Sequence, residues 1–265
     1  MPLTPLLARY DSVVLDLDGC VWVGETPIPG SPEAVAELRA AGKRLSFLTN
    51  NSRRSPEEYV RKLWAAGMRA SLEEVVTGGA ALQHLLAERD RADAYVIGSP
   101  AVFRHVADAG HRIVNGTRRA AQANLVVVAG HDAFNYGELR DAVRAVLAGA
   151  ELVAVDRDRT FPRADGLWPG TGALVAAVEY ATGATALSVG KPEVRIFRTA
   201  LERLGDGRAL VIGDRIDADL AGAAAAGLDG ALVLSGVCTR AEAEAARDPA
   251  PVAVAADLHS LVVAG

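Results

Sequence analysis

The stretch Val13-Val14-Leu15-Asp16-Leu17-Asp18-Gly19 sets the fold of this chain. A short β-branched, apolar run stops at two carboxylates one residue apart, and a glycine then lets the backbone turn away closely. Three other apolar runs stop in the same way: Leu45-Ser46-Phe47-Leu48 at Thr49-Asn50-Asn51-Ser52, Leu187-Ser188-Val189-Gly190 at Lys191, and Leu210-Val211-Ile212-Gly213 at Asp214. In an open parallel sheet the carboxyl ends of the strands share one edge, and ligands bind along it. Four such strands bring residues far apart in sequence into one pocket.

The segments around these runs supply the crossovers. Apolar runs alternate with helix-like segments, the pattern of an α/β fold with a parallel sheet. Ser31-Pro32 and Ser55-Pro56 each offer an N-cap followed by proline, Ser55 with Glu58 has capping-box spacing, and Gly42 and Gly67 stand where helix C-terminal glycines belong. The first part reads as strand Ser12 to Leu15, helix from Pro32, strand Leu45 to Leu48 and helix from Pro56, a right-handed βαβ unit. The last part reads as helix from Pro192, strand Ala209 to Ile212, helix Asp217 to Ala226 and strand Ala231 to Leu234. Between them lie strand Tyr95 to Ile97, a helix from Ala101, strand Leu125 to Val128, a helix from Gly137 and strand Leu152 to Val155. The expectation is a discontinuous core, residues 1–79 with 186–265, and an inserted smaller α/β domain over 80–185.

The totals exclude several classes. Of the 265 residues half are apolar and 23% are charged, the balance of a globular protein. A net charge of −5 with no Lys/Arg block gives no field for nucleic acid or an anionic membrane surface. Cys20 and Cys238 are far apart and form no CxxC, so neither a disulfide scaffold nor a structural zinc site is expected, and a reducing cytoplasm fits best. The N-terminus has no basic segment leading into a long apolar run, and no run reaches the roughly 18 apolar residues of a membrane helix, so a soluble, unprocessed chain is expected.

The chemistry of the pocket follows from charge. Two carboxylates about 4 Å apart repel by roughly 4 kcal/mol at an effective dielectric near 20, so Asp16, Asp18 and Asp214 together call for a divalent cation. Carboxylate and carbonyl oxygens with room for water suit Mg²⁺, which leaves sites for substrate phosphate. Lys191 adds a second positive charge, and Thr49 with the backbone N–H groups of Leu17, Asp18 and Asn50 can hold phosphate oxygens. Asp16 then attacks phosphorus in line to give a phosphoaspartate. Asp18 protonates the leaving alcohol and afterwards takes a proton from the hydrolytic water.

Asp16-Leu17-Asp18-Gly19, Thr49-Asn50-Asn51-Ser52, Lys191-Pro192 and Gly213-Asp214 through Asp219 resemble, in order, the four motifs of the haloacid-dehalogenase superfamily. The similarity runs over nearly the whole chain. The Thr-Asn-Asn-Ser form, the large insert and the stretch Asp165-Gly166-Leu167-Trp168-Pro169-Gly170 resemble the class IIA capped phosphatases, the NagD-like nucleotide and phosphoglycolate/glycerol-phosphate phosphatases. The resemblance implies a Rossmann-like, doubly wound core, with Mg²⁺ held by Asp16, the backbone carbonyl of Asp18 and Asp214. It also implies an inserted cap that selects substrate, and Asp219 as an acid that orients metal-bound water or Lys191. Cys20 and Ala218 depart from the threonines common at their places; neither change removes a catalytic group.

Plainer readings stand beside these. Asp-x-Asp-Gly also occurs in ordinary turns, a lone lysine before proline is usually solvated, and Asp217 reads better as an acid favoured at a helix N-terminus. Thr49 and Asn50 read as phosphate holders and Ser52 as a turn residue. The five histidines, at 84, 105, 111, 131 and 259, show no ligand spacing. Asp156, Arg157, Arg163 and Trp168 of the insert either touch substrate or decorate loops, and sequence does not separate the two. The function expected is hydrolysis of small phosphomonoesters such as sugar or glycerol phosphates, phosphoglycolate or nucleotides. A phosphotransferase or phosphomutase uses the same nucleophile and stays open, whereas a dehalogenase has no need of Asp18. A regulatory domain phosphorylated on aspartate fits poorly, because a base beside the phosphoaspartate shortens its life. No G-x-G-x-x-G follows the first strand, which disfavours a dinucleotide module. The partner expected is a small phosphorylated metabolite, and a homodimer is left open.

Overall fold

The computed structural model describes residues 2–163 and 165–264, and its centre is the strand Ser12–Asp16. This strand is hydrogen-bonded in parallel to Arg44–Thr49 on one side and Ala209–Gly213 on the other, with Leu15 beside Phe47 and Ile212. Val75–Thr77 extends the sheet beyond Arg44–Thr49, and Asp229–Val233 and Ala253–Ala255 extend it beyond Ala209–Gly213, giving six parallel strands. The chain builds outward to one side, then returns to build the other. The strand order therefore reverses at Ser12–Asp16, and the crevice at such a reversal is the binding place of doubly wound sheets.

The central strand is apolar throughout because both faces are covered. Val13 and Leu15 point into a cluster with Leu38, Phe47 and Leu63, whereas Val14 points into another with Leu48, Val76 and Val211. Each fully buried side chain of this size stabilises by about 1.5–3 kcal/mol. Ser55 does cap the helix Pro56–Ala65 with a complete capping box, and Gly42 and Gly67 take positive φ just past their helices. Ser31 does not act as a cap: it is the first residue of Ser31–Ala40, and Gly30 precedes it as N-cap without a side-chain bond. The last expected helix begins as a π-helical turn, Ile216–Leu220, before Ala221–Ala225.

A second parallel sheet has the order Leu187–Ser188, Glu151–Ala154, Leu125–Val128, Asp93–Ile97, Arg112–Ile113. Here one expectation fails. Leu187–Ser188 is an edge strand of this second sheet, paired with Val153 and Ala154, and not a strand of the central sheet. Its two-residue ladder is too short for periodicity to assign, and its partner is decided by where the chain crosses back. One face of the second sheet has its own core, with Ile97, Val126, Val128, Val175 and Val178. The other face, through Val96, Val127 and Val153, joins the cluster that holds Val14, Leu48 and Val211, with Phe197 and Leu82 between. The hairpin Thr160–Arg163 with Gly166–Pro169 and the helix Thr171–Thr182 complete this unit. Among the described residues no helix is long and apolar enough to cross a membrane.

Candidate active site

Asp16 ends the central strand and Asp214 follows the neighbouring strand, so the two carboxylates meet at the carboxyl edge of the sheet. The π-helical turn adds Asp219. Oxygens of Asp16, Asp214 and Asp219 lie within 4.8 Å of one another, and all three residues are buried. Lys191 enters this cluster from the loop after Leu187–Ser188. Its ammonium donates to Asp16 Oδ1, to Asp219 Oδ1 at 2.7 Å and to the Leu48 carbonyl at 3.4 Å. Burial works against the lysine charge, but Asp16 and Asp219 hold its pKa above the ordinary amine value. Burial likewise pushes Asp16 well above the carboxylate range; Lys191 opposes that rise and Asp219 and Asp214 add to it. Asp214 is pushed up to about 7, first by burial and then by the charge of Asp219.

The donors fit a hard divalent cation. Asp214 Oδ2 accepts from the Val237 amide at 2.7 Å, whereas Asp214 Oδ1 is buried with no hydrogen-bond partner among the described residues. A carboxylate oxygen so placed costs free energy unless a cation or water meets it. Asp219 has both oxygens engaged, Oδ1 by Lys191 and Oδ2 by the Arg215 amide at 3.1 Å, so it holds the lysine and the turn. Two glycines leave the room this requires: a Cβ on Gly19, whose φ is +90°, would stand 2.3 Å from Asp214 Oδ2, and one on Gly236 only 1.9 Å from it.

Asp18 stands at the mouth, half-buried. Its Oδ1 accepts from Trp22 Nε1 at 3.0 Å, and its Oδ2 is 3.5 Å from Thr49 Oγ1. Trp22 is buried in the loop that folds back over Leu17, whose carbonyl accepts from the amides of Cys20, Val21 and Trp22. Trp22 stacks on Tyr59, and the Lys62 ammonium lies 4.0 Å from its ring centroid. The carboxylate of Asp18 is thus aimed by an aromatic support that sequence did not reveal. Asn50 accepts from the Lys191 amide at 2.6 Å and donates to the Lys191 carbonyl at 3.1 Å, so it fixes the lysine loop.

The second unit closes the cleft. The lining includes Asp16, Asp18, Thr49, Asn50 and Asp214 from the central unit, Lys191 from the loop that leaves the second sheet, and Asp156, Asp158, Thr160, Phe161 and Thr171 from the second unit. Asp156 accepts from Thr171 Oγ1 at 2.8 Å and from the Asp158 amide at 3.0 Å, and burial, then Asp158, pushes it up to about 7. Of the residues left open in the insert, Asp156 faces the cleft. Arg157 pairs outside with Glu179 at 2.6 Å, and Trp168 bonds Asp165 at 2.9 Å in the exposed hairpin. The side chain of Arg163 lies outside what is described.

Sequence missed Arg53, Phe161, Asp158 and Arg215, which also line the cleft. The Arg53 guanidinium sits 4.1 Å from the Phe161 ring centroid, and Arg215 pairs with Asp158 at 3.3 Å and forks onto Asp217 at 2.9 and 3.0 Å. Arg53 directly follows Thr49-Asn50-Asn51-Ser52 and Arg215 directly follows Asp214 inside the last motif, which is the signal that would have found them. Asp217 stands in the first turn of the π-helix, bound to Arg215. None of the five histidines lines this cleft. Cys20 is buried beside Asp16, and burial raises its thiol well above the usual range.

A family model described as haloacid dehalogenase-like hydrolase matches residues 13–112, and a second, HAD hydrolase-like, matches residues 188–261. The chain is 38% identical over 258 residues to the D-glycerol 3-phosphate phosphatase of Mycobacterium tuberculosis, covering 96% of this chain and 71% of that one. It is 37% identical over 262 residues to human glycerol-3-phosphate phosphatase, covering 88% and 82%. The crystal structure of a glycerol phosphate phosphatase from Mycobacterium tuberculosis in complex with magnesium superposes with a TM-score of 0.88 at 35% identity, covering 98% of this chain and 79% of that one.

Proposed function

The chain belongs to the haloacid dehalogenase-like hydrolases, and from that premise we propose that it is a Mg²⁺-dependent phosphatase of small phosphomonoesters, working through a phosphoaspartate on Asp16. The observation that carries the reading is the buried set of Asp16, Asp214 and Asp219 around the Lys191 ammonium, with Asp18 held at the mouth. Asp16, the Asp18 carbonyl and Asp214 would hold the ion, which supplies positive charge against the substrate phosphate. Lys191 stabilises the equatorial oxygens, and Thr49, Asn50 and the Leu17 and Asp18 amides orient them. An Asp16 carboxylate oxygen bonds to phosphorus as the P–O bond to the alcohol breaks, and Asp18 delivers its proton to the departing alkoxide. A water then gives its proton to Asp18 and attacks phosphorus, freeing phosphate and restoring Asp16. Asp219 keeps Lys191 charged and in place.

Residues 80–185, together with the strand Leu187–Ser188, act in this reading as the cap that selects substrate over a core of 1–79 and the remainder of 186–265. A second cleft, lined by Asp18, Arg53, Arg54, Tyr59 and Lys62, adjoins the first at Asp18. It suits the polar alcohol part of a small phosphorylated metabolite leaving past the acid. Two free, buried cysteines favour a reducing, cytoplasmic setting. The deciding experiment is steady-state hydrolysis of p-nitrophenyl phosphate with Mg²⁺ and after chelation. Equal rates would defeat the metal assignment, and absence of hydrolysis across a panel of phosphate esters would defeat the function.

A further inference from the structure

Asp158 is where the loop of the second sheet touches the phosphoryl site, and it is held from both sides. On its own side its amide donates to Asp156 and its carbonyl accepts from the Gly172 amide at 2.9 Å. Gly170 packs so closely there that a Cβ would stand 2.1 Å from the Asp158 carbonyl oxygen. On the other side its carboxylate accepts from Asn50 Nδ2 at 3.3 and 3.4 Å and pairs with Arg215 at 3.3 Å. Asn50 clamps Lys191 and Arg215 adjoins Asp214, and both line the cleft, so a carboxylate already rests on two of the cleft's donors. It lines the same cleft as Asp16 and Lys191.

We propose that Asp158 is an internal counter-anion of the phosphate site: it occupies Arg215 and Asn50 in the resting protein, and its charge opposes retention of the phosphate product. The inference rests on the phosphatase reading and adds a positioning residue to it. Like charges in one partly desolvated cleft weaken anion binding substantially, and freeing a guanidinium strengthens it. Arg215 stays oriented when Asp158 is lost, because Asp217 still forks onto it. The cost of holding phosphate weakly is some substrate affinity; the gain is faster release.

The test is the Mg²⁺-loaded full chain with Asp158→Asn, Asp158→Ser and Asp158→Glu. Inorganic phosphate is titrated as a competitive inhibitor of p-nitrophenyl phosphate hydrolysis, and its affinity is measured independently by calorimetry. Loss of the charge should tighten phosphate binding and lower KM about fivefold to tenfold in both neutral variants, while the glutamate variant keeps the wild-type Ki. A merely structural role predicts the reverse sign, since disturbing Asn50 and Lys191 weakens phosphate. Unchanged or weaker phosphate binding in whichever neutral variant melts within a few degrees of wild type overturns the proposal. If the wild type hydrolyses no ester, the phosphatase reading fails by itself, and the calorimetric affinities still decide whether Asp158 opposes phosphate.

Discussion

Asn50 grips both ends of the Lys191 backbone, accepting from its amide at 2.6 Å and donating to its carbonyl at 3.1 Å. The lysine belongs to a loop that leaves the second sheet, yet its ammonium must meet carboxylates of the first. A side-chain amide after the strand Arg44–Thr49 fastens that loop to the central sheet.

Asn50→Ala removes both bonds and leaves a buried amide and carbonyl without partners. It should cost about 2–3 kcal/mol of stability and lower kcat at least roughly tenfold through a displaced Lys191. Denaturant unfolding and steady-state kinetics on one preparation read both effects; wild-type kcat would show that Lys191 is held by other means.

Asp16→Asn should retain less than about a hundredth of the activity, the usual consequence of losing a covalent nucleophile. With p-nitrophenyl phosphate, whose leaving group needs no acid, Asp18→Asn should accumulate a phosphoenzyme, seen by mass spectrometry after acid quench, because the water loses its base. Free turnover in Asp18→Asn would assign proton transfer to another group.

Magnesium should raise the melting temperature more at pH 8 than at pH 6. Asp214 carries a pKa pushed up to about 7 and Asp16 is raised as well, so protons compete with the ion below neutrality. Differential scanning fluorimetry at several pH values measures this, and a shift independent of pH would remove Asp214 from the ligand set.

Asp156 gives a second pH dependence. Its folded pKa, about 7, lies above the unfolded carboxylate value, so the folded chain binds the extra proton between about pH 4 and 7 and stability falls as pH rises through that window. Asp156→Asn keeps an acceptor for the Asp158 amide and can donate to Thr171. Relative to wild type it should gain on the order of 2 kcal/mol between pH 5 and pH 8 in metal-free protein; a constant difference would show that Asp156 does not titrate there.

The central strands and their polar ends were legible because burial on both faces writes a continuous apolar run, and a site at the sheet edge interrupts it. Asp16, Asp18, Thr49, Asn50 and Asp214 sit where that pattern breaks. Lys191 also reaches the site, but from a strand of the other sheet, since two residues carry no period that names their partner. Asp158, Phe161 and Arg215 were not legible. Asp158 and Arg215 stand in loops and Phe161 in a short hairpin strand, and what aims them is contact between the two units rather than local propensity. Ser31 illustrates the smaller error: the letters of a cap were present, but Gly30 took the position.

The apolar cluster that runs from Val14, Leu48 and Val211 into Val96, Val127 and Val153 bears on modularity. Exchanging residues 80–185 for the insert of another protein would take Leu82, Val96, Val127 and Val153 out of that shared cluster and leave Phe197 and the central strands to be repacked, unless the graft carried matching apolar residues. The insert is not a free-standing attachment; a working chimera has to be cut within a shared interior.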